Sequence, residues 1–290
     1  DWAGMDPIGG AKIQEEGEHI RINFDGGVVT FSKEAGFLIG YIVRGKNLLS
    51  SPMAPNFWRA PNDNDRAWGI NHHQVWKEAG KASKLESIDM SEDEGVAQLH
   101  TVHSIGVLGS MTTSYLVGDD GQVKVDLIFD FRTDQPELPK VGMKVLVPEE
   151  FSNAKYYGKG PHESYIDRDG SARLGIYNSE VAQLSTPYIR PQENGNRSGI
   201  RWFSLKNAEG MGLKIRGNDL NVSARTRTTE DLENTTHRHL LPTRDFIEVN
   251  IDHKIMGVGG DDTWSIRSKP HPEDRIPSGK YRYNFVLSGI

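Results

Sequence analysis

The segment His253-Lys-Ile-Met-Gly-Val-Gly-Gly-Asp-Asp-Thr-Trp264 sets an indole just beyond two adjacent carboxylates on a glycine-rich loop. An indole face stacks on the apolar C–H patch of a pyranose, and Asp261 and Asp262 can accept hydrogen bonds from its hydroxyls. Trp264, Asp261 and Asp262 are therefore candidate substrate-binding residues. Gly-Gly-Asp-Asp is also ordinary turn chemistry and tryptophan commonly fills cores, so the segment alone leaves both readings open. The two aspartates do not suit a hydrolytic pair. A retaining glycosidase holds its carboxyl groups roughly 5 to 5.5 Å apart across the scissile bond, which sequence neighbours seldom achieve.

Four further blocks carry chemistry-bearing side chains. Asn56-Phe-Trp58-Arg59-Ala-Pro-Asn-Asp63-Asn-Asp65 offers oxygens for a hard cation, but lacks the later ligands of a calcium loop. Its other reading is a loop pinned by Asx turns and an Arg–carboxylate pair. In Tyr156-Tyr-Gly-Lys-Gly-Pro-His162-Glu163-Ser-Tyr165-Ile-Asp-Arg168, His162 beside Glu163 could do acid–base work, yet neighbours in an extended segment point to opposite sides. Thr186-Pro-Tyr188-Ile-Arg-Pro-Gln-Glu193-Asn-Gly-Asn-Arg197 is a polar loop around Glu193. Thr235-Thr-His237-Arg-His239-Leu-Leu puts two imidazoles at i, i+2, one face of a strand, without a third metal ligand. Trp58, Arg59, Asp63, His162, Glu193, His237 and His239 form a candidate secondary site or interface; no metal site is assigned.

The elements that must position these residues read as strands. From Gln122 to Phe131, Val123, Val125, Leu127, Phe129 and Phe131 share one face, opposite Lys124, Asp126 and Asp130. The same alternation runs through 19–24, 28–32, 37–43, 98–105, 111–117, 140–148, 200–206, 211–216, 221–227, 246–252 and 281–287. Asp25-Gly-Gly27, Gly118-Asp-Asp-Gly121 and Asn207-Ala-Glu-Gly210 are hairpin turns, which favour antiparallel pairing. Only 71–79 and 229–234 read as helices, and they do not recur between strands as parallel crossovers would. The expected fold is all-β, a large antiparallel two-sheet supersandwich. Residues 51–69 and 156–196 are left as long loops, of the kind that are functional or contact a partner.

At 290 residues the chain can bury one large core, and 15–290 reads as one domain after an N-terminal linker or extension, 1–14. A net charge of -6 with scattered basic residues argues against a nucleic-acid partner. The absence of cysteine rules out disulfides and thiolate chemistry, and fits cytoplasm and periplasm equally. No apolar run approaches the roughly 20 residues of a membrane span, so a soluble chain without membrane partner is expected. An opening on Asp1 without a leader pattern points to a fragment of something longer.

Taken in order, the blocks resemble the C-terminal domain of lactose-hydrolysing bacterial β-galactosidases of glycoside hydrolase family 2, their domain 5, also found as a separate small chain. The resemblance rests on Phe57 to Pro61 with Asp63-Asn-Asp65, Gly158 to Tyr165 with Asp167-Arg168, and Thr186 to Tyr188 with Glu193-Asn-Gly195. It continues through His237 to Leu241, Met256 to Trp264 and Gly279 to Tyr283, from about residue 15 to the end. It departs at Thr263, where relatives carry Ser, a change that keeps the hydroxyl. The resemblance implies a galactose-mutarotase-like sandwich packed on a (β/α)8 catalytic domain that holds both glutamates. It implies a β-galactoside such as lactose as substrate, stacked on by Trp264, with magnesium and sodium in the parent enzyme, itself a homo-oligomer. No cofactor is expected in this chain. Without βα alternation the chain cannot contain the barrel, so no catalytic residue is assigned and it is expected to be inactive alone. Two other readings are a free-standing aldose 1-epimerase, using His162, His237 or His239 with Glu193, and a lectin-like carbohydrate-binding module.

Overall fold

The computed structural model describes residues 10–290. Of the stretch read as a linker, 1–9 lie outside the described residues, and the first strand begins at Lys12. Strands β1 (Lys12–Glu16), β2 (His19–Phe24), β3 (Gly27–Ser32), β4 (Leu38–Val43) and β5 (Lys46–Asn47) form one sheet in chain order. A twelve-stranded sheet takes β6 (Ala54–Asn56), β7 (Lys84–Asp93), β8 (Val96–Ser104), β9 (Gly109–Val117), β10 (Val123–Phe131) and β11 (Lys140–Pro148). Its others are β12 (Asn153–Gly160), β13 (Arg173–Glu180), β14 (Arg197–Lys206), β15 (Gly212–Arg225), β16 (Phe246–Ile255) and β17 (Lys280–Gly289). Every ladder is antiparallel, and the two sheets are unequal.

The large sheet runs β13-β12-β14-β15-β17-β10-β9-β8-β7 and branches at β15. Residues 213–217 of β15 pair with β17, whereas 221–225 pair with β16, which carries β11 and β6 beside it. The changeover falls at Asp219, a left-handed residue with φ 59°. The sequence reads as two strands, 211–216 and 221–227, because that interruption looks like a turn; the ladder bonds keep it one strand.

Alternation decides what is buried. The five apolar side chains on the inner face of β10, Val123, Val125, Leu127, Phe129 and Phe131, are all 2 % exposed or less. One hydrophobic cluster runs through both sheets, joining Ile20, Val29 and Leu38 to Met111, Phe129 and Phe285. Tyr41 on β4 fastens the small sheet to the large one. Its buried hydroxyl donates to the carbonyl of Gly121 at 2.6 Å and accepts from the amide of Gly289 at 2.9 Å. Gly121 takes φ 72° to close its turn, a region costly for other residues.

The helices are short: α1 (Asp63–Trp68), α2 (Val181–Leu184) and α3 (Thr229–Asn234). The expected helix over 71–79 is instead a 3-10 run, Ile70–Trp76. Helix α1 was not expected. It starts at a reciprocal cap in which Asn62 accepts from the Asp65 amide at 2.7 Å and Asp65 from the Asn62 amide at 3.1 Å. No helix among the described residues is long and apolar enough to cross a membrane.

Candidate functional site

The first and last sequence blocks form one construction. Phe57 anchors the first by packing edge-on against Phe129 and Phe131, with ring centroids 5.4 and 5.2 Å apart. That fixes Arg59, two residues on, which is fully buried. Its guanidinium pairs in two places with Asp65, at 2.8 and 3.1 Å, and also donates to the carbonyls of Met256 and Gly257. Asn62 donates to the carbonyl of Val258 at 3.1 Å, and Asn64 to that of Asp262 at 3.1 Å. The expected Arg–carboxylate pair is therefore present, and the same groups carry the loop that follows β16.

Glycine makes this docking tight rather than loose. A Cβ on Gly260 would stand 2.5 Å from the carbonyl oxygen of Arg267, and one on Gly257 would stand 2.6 Å from the Asp167 carboxylate. The Asp167 oxygen also accepts from the Gly259 amide at 2.7 Å. Close backbone approach, not freedom of φ, accounts for these glycines.

At the tip, Trp264 is 79 % exposed. Asp262 accepts from the Trp264 amide at 3.2 Å and from the Ser265 amide and hydroxyl at 3.0 and 2.6 Å, an Asx turn that aims the indole outward. These bonds, the Ser265 hydroxyl first, hold the Asp262 carboxyl below its ordinary pKa. Asp261 faces elsewhere: His271 Nε2 lies 2.9 Å away and Arg267 donates at 3.3 Å, which lowers its pKa too.

Beside the loop lies a polar pocket of about 330 Å³, lined by Asp63, Glu163, Tyr188, Gln192, Glu193 and Thr263 among others. Glu163 accepts from the Tyr188 hydroxyl at 3.0 Å and the Gly195 amide at 2.7 Å, and pairs with Arg168 at 2.9 Å. Glu193 accepts from Tyr165 at 3.2 Å and from Arg225 at 3.1 Å. Arg225 continues to Glu248 at 3.4 Å, and nearby Lys140 donates to Asn250 at 2.7 Å and pairs with Asp252 at 3.1 Å. Burial opposes the charge on Arg225, but Glu193 and Glu248 overcome it and keep the group firmly protonated. Burial also pushes the Asp252 carboxyl up to about 6, against the pull of Lys140. Hydrogen bonds and ion pairs thus saturate most carboxylates here, as buried charges require.

Sequence reasoning named Glu163 only as the neighbour of His162, and missed Arg225, Glu248, Lys140 and Asp252. A usable signal is present in β16, where Glu248, Asn250 and Asp252 alternate with Ile247, Val249 and Ile251. The pattern reads as one wet face, yet all six are 1 % exposed or less.

Of the remaining candidates Asp63 stays at this pocket, and the others scatter. Trp58 is 3 % exposed and donates from its indole nitrogen to Glu233 at 2.9 Å. Asp63 exchanges bonds with Gln192, at 3.1 and 3.0 Å. His162 is exposed with Nε2 at 2.9 Å from the Ser171 hydroxyl, while its neighbour Glu163 is buried. His237 and His239 are exposed with rings 5.7 Å apart, but the 3-10 turn Arg238–Leu240 replaces the strand supposed for them. Among the described residues no three His, Cys, Asp or Glu side chains gather as a metal site. Among the described residues no imidazole hydrogen-bonds to Glu193, whose side-chain partners are Tyr165 and Arg225.

The family model described as "Beta galactosidase small chain" matches residues 25–287. The chain is 32 % identical over 264 residues to a beta-galactosidase of Priestia megaterium, covering 90 % of this chain and 25 % of that protein. It is 35 % identical over 259 residues to a beta-galactosidase of Lactobacillus delbrueckii subsp. bulgaricus, covering 88 % and 25 %. The chain thus spans about a quarter of the length of these relatives, in their C-terminal part. Among solved structures, a TPR-domain containing protein from Parabacteroides distasonis has a TM-score of 0.51 at 9 % identity, over 93 % of this chain and 46 % of that one. A galactose 1-epimerase from Lactobacillus acidophilus has a TM-score of 0.48 at 11 % identity, over 98 % and 99 %. With the match spanning nearly the whole described chain, this protein belongs to the beta-galactosidase small chain family.

Proposed function

We propose that this chain is the accessory C-terminal domain of a β-galactosidase that hydrolyses terminal β-galactosides such as lactose, and that Trp264 completes its substrate pocket. The supporting observation is an indole 79 % exposed at the tip of a loop pinned by Arg59, Asn62, Asn64 and Asp262. A large apolar face held outward at fixed geometry suits stacking on a sugar ring, and little conformational entropy remains to be lost on binding. The bond is cut elsewhere, by glutamates of a (β/α)8 domain of the same enzyme. That partner would also hold magnesium and sodium, in a homo-oligomeric assembly. Asp261 and Asp262 act through the loop: both carboxylates are committed to its internal bonds.

The test is Trp264→Ala in the complete enzyme. Binding of lactose weakens by about 1 to 3 kcal/mol, read as a raised KM, whereas Trp264→Phe retains part of it. An unmoved KM would sink the proposal.

A further inference from the structure

The second concave feature of interest is a pocket of about 190 Å³ between the 185–191 loop and the 225–241 segment. Its lining joins Arg225, Arg227 and Arg238 to apolar Pro187, Leu232 and Leu241. Arg225 is held by Glu193 and Glu248, but Arg227 and Arg238 pair with no acid among the described residues, which is conspicuous in a chain that is acidic overall, at -6. Among the described residues Arg227 donates only to its neighbour Thr226, to the carbonyl at 2.6 Å and the hydroxyl at 3.3 Å. The Arg238 side chain reaches, among the described residues, only the carbonyl of Pro187, at 3.5 Å. The Nε atoms of Arg225 and Arg227 are buried without partners among the described residues, and Arg225 itself is 2 % exposed. The rim is apolar: Ile189 is 82 % exposed and Leu240 is 57 % exposed, on segments tied by the Arg238 amide to the Ile189 carbonyl at 3.0 Å.

We infer that this pocket and its rim are a docking surface for an Asp- or Glu-bearing segment of the rest of the same enzyme, its carboxylate seated on Arg227 and Arg238. The inference rests on reading the chain as one domain of a larger β-galactosidase. The relatives are about four times its length, so most of the enzyme lies outside these residues. Guanidinium groups take carboxylates in planar, two-pronged geometry, and an exposed apolar rim excludes water around such a pair. A covered Ile189 and Leu240 would also remove an apolar surface that otherwise invites nonspecific association.

Hydrogen–deuterium exchange distinguishes the occupants. Residues 186–191 and 237–241 are compared in the 290-residue chain alone and in the complete enzyme. Exchange at least tenfold slower in the enzyme is expected, with that protection lost in Arg227→Glu/Arg238→Glu. Because charge reversal could disturb the fold, Ile189→Asp/Leu240→Asp is a second variant at exposed positions, with the same loss expected. Equal exchange in chain and enzyme overturns the inference, as does protection that survives both variants. Protection that grows with concentration in the isolated chain assigns the surface to a second copy and also overturns it. The lactose KM of Trp264→Ala, measured on the same enzyme, reports on the pocket proposal separately: an unmoved KM with protected segments sinks that proposal and leaves this one.

Discussion

Arg59 donates to the carbonyl oxygen of Gly257 over 2.8 Å while the same guanidinium grips Asp65, so a buried cation links a helix cap to the tryptophan-bearing loop. The link is costly to half-remove. Arg59→Met strands Asp65 in a site 0 % exposed and frees two carbonyls, and is expected to cost about 3 to 5 kcal/mol of stability. Urea denaturation of the chain measures this. Arg59→Met/Asp65→Leu should recover part of the loss, because no lone buried charge remains; an equal or larger loss would count against the pairing argument.

The Gly260 prediction separates close approach from flexibility. Gly260→Ala drives a Cβ into the backbone of Arg267 and Ser268, 2.5 Å away, so the loop must shift. About 1 to 3 kcal/mol of destabilisation is expected, the scale of overpacking. Proteolysis between 257 and 268 should accelerate while the remaining strands stay protected. Were glycine needed there only for mobility, alanine would slow cleavage.

Acid sensitivity follows from His253. Its ring stacks on Tyr283 with centroids 5.4 Å apart, and burial, aided by Lys254 and opposed by Asp219, lowers its pKa from 6.5 to about 4. The unfolded chain therefore binds this proton first. The stability contributed by neutral His253 is complete above pH 6.5 and disappears as pH falls through about 4. Buried His73 and His103 act in the same direction. Asp252 opposes them: raised to about 6, it adds stability at low pH that is lost as pH rises through that value. Chemical denaturation from pH 7 to 4 should show declining stability, and His253→Gln should flatten the decline by about 1 to 2 kcal/mol after discounting for partial exposure. An identical slope in the variant would refute the assignment.

Much of the sheet architecture was legible because burial follows parity. Strands 19–24 and 140–148 and helix 229–234 have the boundaries their patterns give. Strands β12 and β13, which overlap the supposed 156–196 loop, escaped notice for different reasons. The buried face of β12 is Ala154, Tyr156, Gly158 and Gly160, and glycine does not register as apolar. β13 is an edge strand whose residues are exposed or half-buried throughout, so no alternation marks it. Helix α1 uses an Asn/Asp cap rather than the commoner Ser/Thr with Glu. The exposed Trp264 was readable from its turn residues, but its support was not. Arg59 meets Gly257, and Arg225 meets Glu193, only through the fold, and nothing local in the sequence announces either meeting.

The split allegiance of β15 bears on how this molecule comes apart. One strand serves the C-terminal strand along its first half and the ion-bearing strand along its second. Neither neighbour can peel off without freeing half of the strand that holds the other, so heating should melt both in a single cooperative transition, and a truncation that removes β17 would loosen the seat of Glu248 and Asp252 from a distance.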